Sequence, residues 1–189
     1  MPVELAAIKE KLKSKSDPSA IEFASRVVPG ARKIYGVKTP ELNLIAREFK
    51  AGGFELVKKL WQSGALEEKI IAIKILEKIG SKDPEQTLDL VKRFSLQIEN
   101  WAECDGLGMQ ALKAVRKNRT KEIFALAEKY NRSKNLWQRR LSLVMVEWFT
   151  RDPLYHPRIK KLVKHLEEDE EYYVRKAVQW INRNFKKGK

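Results

Sequence analysis

Four segments of the sequence, beginning at Ala65, Trp101, Trp137 and Tyr173, start 36 residues apart. Eight places into each copy the residue is apolar: Ile73, Met109, Met145 and Ile181. One place in stand Leu66, Ala102, Gln138 and Val174. Five places in stand Ile70, Gly106, Ser142 and Val178, and twelve places in stand Glu77, Lys113, Phe149 and Phe185. At about 100° per residue these offsets form one helical stripe, the expected packing face. β-branched alternation is nearly absent. A repeat of this length in such a chain predicts stacked helix pairs, that is, an all-α solenoid of HEAT-like repeats with a basic concave face lined by the second helices.

Helix-start signals agree with this. Asp17-Pro18, Thr39-Pro40, Asp83-Pro84 and Asp152-Pro153 each join a capping side chain to a proline suited to the first helical position. Helices are expected near 2–14, 18–28, 40–51, 53–62, 65–79, 83–98, 101–117, 119–131, 135–150, 155–168 and 171–186. No linker is long enough to divide the chain, so 1–189 reads as one repeat domain, with the helices of 1–62 completing the stack.

Charge narrows the class of partner. Lys and Arg number 39 against 25 Asp and Glu, a formal charge of +14. Such an excess points to an anionic partner, most commonly nucleic acid. No apolar run approaches the roughly 18 residues that span a bilayer. Met1-Pro2-Val3-Glu4-Leu5 runs into an amphipathic segment rather than a leader. A cytoplasmic protein with no membrane partner is expected. The single cysteine, Cys104, excludes an internal disulfide and reads as a small buried apolar residue. With only His156 and His165 besides, no metal site is expected. Any chemistry must come from carboxylates, amines or aromatics.

Offsets zero, four, three and seven place Trp101, Asp105, Arg140 and Trp180 within roughly 100° of one another, on a face centred about 120° from the packing stripe. In a regular stack they project into one groove, and the small residues Ala72 and Gly108 on that face leave room for a ligand. An indole can pack on a sugar and attract a cation. A carboxylate can stabilise developing positive charge or orient water, and an arginine can hold a phosphate. Together they suit cleavage of an N-glycosidic bond in DNA, which develops positive charge on the deoxyribose. A cationic leaving base needs little acid assistance, in keeping with so few histidines. Each residue also has a plainer reading. The aromatic at offset zero recurs as a packing residue would. Asp105 could simply pair with Lys69 or Arg140. Arg139, Arg140, Arg175 and Lys176 could be a solvated basic face, and Trp180 could cap the stack.

The same residues resemble a known family, the DNA alkylation repair glycosylases built from HEAT-like repeats (the AlkD family). Ile34-Tyr35-Gly36-Val37-Lys38-Thr39-Pro40-Glu41 is similar to the family's N-terminal G-[IV]-x-T-P-E element. Trp101-Ala102-Glu103-Cys104-Asp105 resembles its W-x-x-x-D motif, and Asn135-Leu136-Trp137-Gln138-Arg139-Arg140 its N-[IL]-W-x-x-R motif. Tyr173-Val174-Arg175-Lys176-Ala177-Val178-Gln179-Trp180 resembles its [FY]-x-x-K-A-x-x-W motif. The resemblance implies a monofunctional DNA glycosylase that excises positively charged N3- and N7-alkylated purines, such as 3-methyladenine and 7-methylguanine, from duplex DNA without drawing the base into a pocket. It implies that Trp101, Asp105 and Trp180 contact the lesion's deoxyribose as catalytic residues. Arg140 would contact the DNA backbone, with Lys38, Thr39, Arg139, Arg175 and Lys176 as further DNA-binding residues. No cofactor and no obligate protein partner are implied, and a monomer suffices. The sequence ends soon after Trp180, where longer members continue, and Glu99-Asn100 replaces a more aromatic neighbourhood. These departures bear on affinity and lesion range more than on the chemistry.

Two rival readings stay open at this level. A non-catalytic protein that recognises damaged DNA would use the same basic face. A protein-binding scaffold is the commoner role of HEAT arrays, although the net charge weighs against it. The abundance of lysine also leaves an added lyase activity open.

Overall fold

Proline and a capping aspartate open helices where the sequence puts them. In the computed structural model, which describes residues 3–31 and 33–186, Asp17 caps α2 (Pro18–Val27) by accepting Ser19 N–H, and Asp83 caps α6 (Pro84–Ser95) by accepting Gln86 N–H. The other helices are α1 (Val3–Ser14), α3 (Thr39–Glu48), α4 (Gly53–Gln62), α5 (Leu66–Ile79), α7 (Trp101–Asp105), α8 (Thr120–Tyr130), α9 (Leu136–Val144), α10 (His156–His165) and α11 (Tyr172–Lys186). No strand occurs among the described residues. Met1, Pro2 and Lys187–Lys189, at the ends of the expected domain, lie outside them.

The helices form an all-α solenoid. One row runs α3, α5, α7, α9, α11, each helix packing on the next. A second row lies against it: α4 covers α5, α6 covers the continuation of α7, and α8 and α10 cover α9. One continuous apolar core fills the space between the rows, from Leu5, Ile8 and Leu12 on α1 to Val174, Val178 and Ile181 on α11. Trp61 lies in it, stacked on Phe94 at 4.3 Å. Burial of such side chains contributes about 1.5–3 kcal/mol each before conformational entropy is subtracted.

Local features depart from the sequence expectation, among them the helix expected over 135–150, which ends at Val144 and is followed by a 3-10 helix at Glu147–Arg151. Thr39 does not cap α3: it is the first helical residue, Lys38 occupies the cap position without a side-chain bond, and the Thr39 side chain lies in the wall of a cleft. The helix expected over 101–117 changes gauge. After α7 it widens to a π-helix at Gly106–Gln110 and tightens to a 3-10 helix at Ala111–Ala114. Glycines permit this because the backbone there touches its neighbours. A Cβ on Gly106 would sit 2.8 Å from Ile73 Cδ1, and one on Gly108 would sit 2.6 Å from Val144 Cγ1. The room expected over Ala72 and Gly108 is therefore filled by helix contact, and both residues are buried. Lastly, the 1–5–8 stripe is buried throughout in the last two copies but only in part in the first two, where Leu66, Ile73 and Gly106 are buried, Ile70 and Ala102 half-buried and Met109 exposed. There Leu66, Ile70, Ile73, Ala102, Gly106 and Met109 form the floor of a cleft.

The cleft exists because α2 does not join either row. It contributes no buried residue, and Phe23, Ala24, Val27 and Val28 roof the stripe instead. The segment after α2 is pinned by the carboxylate of Glu67 on α5, which accepts the N–H groups of Tyr35, Gly36 and Val37 at 2.9, 2.7 and 3.3 Å. Gly36 has φ +73°, and a Cβ there would lie 2.5 Å from Asp17 O. Only glycine accommodates this turn without strain.

Candidate active site

Asp105 ends α7 and is one of the residues lining this cleft, of about 390 Å³, between α2, α3, α5 and α7. Arg140, one repeat later on α9, reaches back to hold it. Nε donates to Oδ1 and Nη2 to Oδ2, each at 2.8 Å, and Nη1 donates to the carbonyl of Tyr173 on α11 at 2.6 Å. Three consecutive repeats thus fix one carboxylate. Arg140 is 7% exposed. Burial opposes its charge, but the hydrogen bonds and charge of Asp105 outweigh that and raise the guanidinium above its ordinary value. Bidentate pairing uses one lone pair on each oxygen of Asp105 and leaves the others free.

Trp101, one turn before Asp105, lines the same cleft and is half-buried. Its indole N–H donates to the carbonyl of Val27, at the end of α2, at 2.8 Å. The ring is therefore fixed between the roof and the floor. The start of α7 is braced by a network absent from the sequence reading. Asn100 accepts Glu103 N–H and donates through Nδ2 to Glu103 Oε1, while Glu103 Oε2 accepts Glu99 N–H. Buried Lys69 bridges Glu103 and Glu99 at 3.1 and 3.2 Å. The spacing Asn100…Glu103 is a capping-box pattern, so this part was readable. Lys69 pairs with these glutamates and not with Asp105.

The remaining expected site residues fall at different places. Thr39 lines the cleft. Trp180 is half-buried on α11, two turns beyond Tyr173, and is not among the residues lining the cleft. Arg139 is held by Asp169 through Nε and Nη2 and by the carbonyls of Ser133 and Lys134 through Nη1. Lys38 is exposed, 3.6 Å from Asp17. Arg175 is exposed and donates to the carbonyls of Asp169 and Glu170, and Lys176 lies over the Tyr172 ring. Recurrent aromatics at offset zero divide by role: Trp137 and Tyr173 pack on each other at 5.2 Å, whereas Trp101 faces the cleft. Cys104 is sealed, its thiol donating to Trp137 O, and burial followed by the nearby Asp105 charge pushes its pKa well up. It is not a nucleophile.

Asp105 and Lys74 are the titratable side chains among the cleft's lining residues. Phe23 and Met109, 57% and 39% exposed, are the most exposed large apolar residues of its lining. Among the described residues no group of acidic, His and Cys side chains is arranged to hold a metal ion, and no helix is long and apolar enough to cross a membrane. The arrangement offers one fixed carboxylate, one fixed indole and apolar walls, which together can stabilise a cation and shed water.

No curated protein matches the sequence. A family model described as DNA alkylation repair enzyme matches residues 8–188, from α1 to beyond α11 and across every motif considered above. On that match the chain belongs to the DNA alkylation repair enzyme family.

Proposed function

We propose that the protein is a DNA glycosylase that hydrolyses the N-glycosidic bond of cationic N3- and N7-alkylated purines, such as 3-methyladenine and 7-methylguanine, in duplex DNA. The observation that carries this reading is the Asp105 carboxylate held by buried Arg140 in an apolar cleft beside the fixed indole of Trp101. A cationic base departs as a neutral molecule, so no acid is needed. The positive charge moves to the deoxyribose. At an effective dielectric of about 20, a unit charge about 4 Å from a carboxylate is stabilised by about 4 kcal/mol, which is roughly a thousandfold in rate. Arg140 subtracts from that field but keeps the carboxylate ionised and in one orientation, and preorganisation of this kind is the larger part of electrostatic catalysis.

In this account Asp105 stabilises the oxocarbenium-like sugar and orients the attacking water. Trp101, and Trp180 farther along the row, pack on the deoxyribose, and the base stays in the duplex. Arg140, buried and held by Asp105 and Tyr173 O, acts through Asp105. Lys38, Thr39, Arg175 and Lys176 supply phosphate contacts that read no sequence, while Arg139 shapes that surface through Asp169. One copy is enough to carry the site, no cofactor takes part, and the substrate places the protein in the cytoplasm with the chromosome. Incubation of the full chain with methylated DNA tests the reading. Free 7-methylguanine or 3-methyladenine appearing faster than spontaneous depurination is the expected result. Tight binding to damaged duplex with no base released would identify a damage-recognition protein instead.

A further inference from the structure

Several basic side chains of the first row have partners of their own. Lys69 is tied to Glu99 and Glu103, Lys74 donates to the amide oxygen of Asn43 at 2.7 Å, Lys113 pairs with Glu77 at 2.8 Å and Arg139 with Asp169 at 2.6 Å. Arg116, just beyond the 3-10 helix at Ala111–Ala114, differs. Among the described residues its guanidinium forms no hydrogen bond or ion pair. It lies over the ring of Trp148, 4.1 Å from the centroid. Trp148 and Arg151 belong to the 3-10 helix that follows α9. Burial, then the charge of Arg151, lowers the pKa of Arg116, with Glu147 and Glu77 opposing. Neither carboxylate is free to neutralise the two arginines. Glu77 is held by Lys113, while Glu147, 7% exposed, accepts Asn184 Nδ2 at 2.8 Å and lies 3.6 Å from Arg151. Two like charges are thus brought together at the surface with no anion between them.

Arg116 follows Asp105 by eleven residues, and Arg151 follows Arg140 by eleven. That is about three helical turns, so the second pair returns to nearly the same side of its two helices, about 16 Å farther along. The two helices therefore meet twice. They meet first as Asp105 with Arg140, where opposite charges cancel, and again as Arg116 with Arg151, where like charges add. We propose that Arg116 and Arg151, backed by Trp148, form a phosphate site that grips one backbone phosphodiester of a duplex whose damaged nucleotide lies at Asp105. These three residues stand outside every motif considered above. The ligand chemistry follows from the donors. A guanidinium presents a planar fork that matches two phosphate oxygens, the indole face keeps that fork in place, and an oxyanion between the arginines relieves their repulsion. A duplex carries a phosphate for about every 1.7 Å of its axis, so one falls within reach of the pair.

The inference rests on the reading that the first row receives duplex DNA, but it does not require base release. The test therefore measures the affinity of the full chain for undamaged duplex across a salt series. Arg116→Gln and Arg151→Gln should each weaken binding about tenfold at low salt, as loss of one charge-assisted hydrogen bond does. The double variant should also make the dependence of log affinity on log salt shallower by about 0.9, the counter-ions released by one phosphate. Arg116→Lys keeps the charge but loses the fork, and should recover only part of the affinity. Lys164→Gln, on α10 in the second row, removes the same charge elsewhere and should change affinity and slope far less. Cooperative melting verifies the fold of each variant, and Arg116→Lys keeps the test valid if a glutamine variant does not fold. Native affinity and slope in the folded double variant overturn the proposal, as does an equal loss in Lys164→Gln. Inorganic phosphate that raises the melting temperature of the native chain but not of the double variant, with duplex affinity the same in both, would assign the pair to a free anion and also overturn it. Loss of duplex affinity in these variants, with no base released by any of the proteins, removes the glycosylase reading alone.

Discussion

The carboxylate of Asp105 and the guanidinium of Arg140 meet edge to edge across two successive repeats, with both contacts at 2.8 Å. Neither residue is positioned by its own helix alone. The third bond of Arg140, to Tyr173 O, draws in the next repeat. The geometry of the site is therefore a property of the stack, and disturbing the stack should disturb the site.

Removing Arg140 tests this first. Arg140→Ala leaves a carboxylate, 23% exposed at its side chain, without its partner. Breaking a largely buried pair costs about 3 kcal/mol, so a lower urea midpoint is expected. Arg140→Lys should restore part of that stability but supply only one donor. Base release should stay low in the lysine variant while affinity for undamaged duplex changes little. A fall in affinity that accounts for all of the lost activity would make Arg140 a phosphate contact first.

Trp101 carries two separable features, a ring and an N–H. Trp101→Phe keeps an aromatic face but removes the bond to Val27 O, a bond worth about 1 kcal/mol. We expect a partial loss of single-turnover rate, with the roof helix α2 exchanging its amide hydrogens faster. Trp101→Ala should lose nearly all activity. Equal rates for the two variants would mean that the ring itself does not contact the sugar.

Two glycines two residues apart should respond differently to alanine. At Gly106 the new methyl meets the flexible end of Ile73, which can turn away. At Gly108 it meets Val144 Cγ1 at 2.6 Å and the backbone nitrogen of Met145 at 3.1 Å. Overpacking of this kind costs about 1–3 kcal/mol. Gly108→Ala should lower the melting temperature more than Gly106→Ala, and it should also reduce base release by shifting α9, and Arg140 with it, away from α7.

Lys74 predicts a pH signature in stability. Its folded pKa lies below the unfolded value, so the unfolded chain binds the extra proton. Where that holds, stability rises with pH. The cost is fully present below the folded pKa and disappears as pH climbs to about 10.4. Lys74→Met removes it. The variant should be more stable than the wild type near neutrality, and the two denaturation curves should converge in alkali. A constant difference across that range would show that Lys74 is not desolvated in the folded state.

Much of this was legible in the sequence. The repeat of 36 placed the helices, and Asp17-Pro18 and Asp83-Pro84 placed two of their starts, because capping and proline geometry act locally, whereas Asp152-Pro153 opens a 3-10 turn ahead of α10. The rotation of Asp105 and Arg140 onto a common face followed from helical periodicity alone. Periodicity also assigned Ile70, Ile73 and Met109 to the core; Ile73 is there, but Ile70 is only half-buried and Met109 is exposed. Whether an apolar stripe meets core or cleft depends on what covers it, and α2 covers it only loosely. Ala72 and Gly108 read as small residues lining a groove, whereas both are buried in close contact between helices. Nothing in spacing marks Val27 O as the partner of Trp101, since a backbone carbonyl has no sequence signature. Lys69 and Lys74 look alike on paper, and only their neighbours distinguish them.

The central claim is that Asp105 carries the chemistry of base release. Single-turnover release of 7-methylguanine from methylated duplex, comparing the native chain with Asp105→Asn, tests it most directly. The substitution is nearly isosteric and keeps an acceptor for Arg140. The account predicts a native rate well above spontaneous depurination, and an Asp105→Asn rate close to spontaneous with duplex affinity retained. Native-like release by a folded Asp105→Asn protein would contradict it.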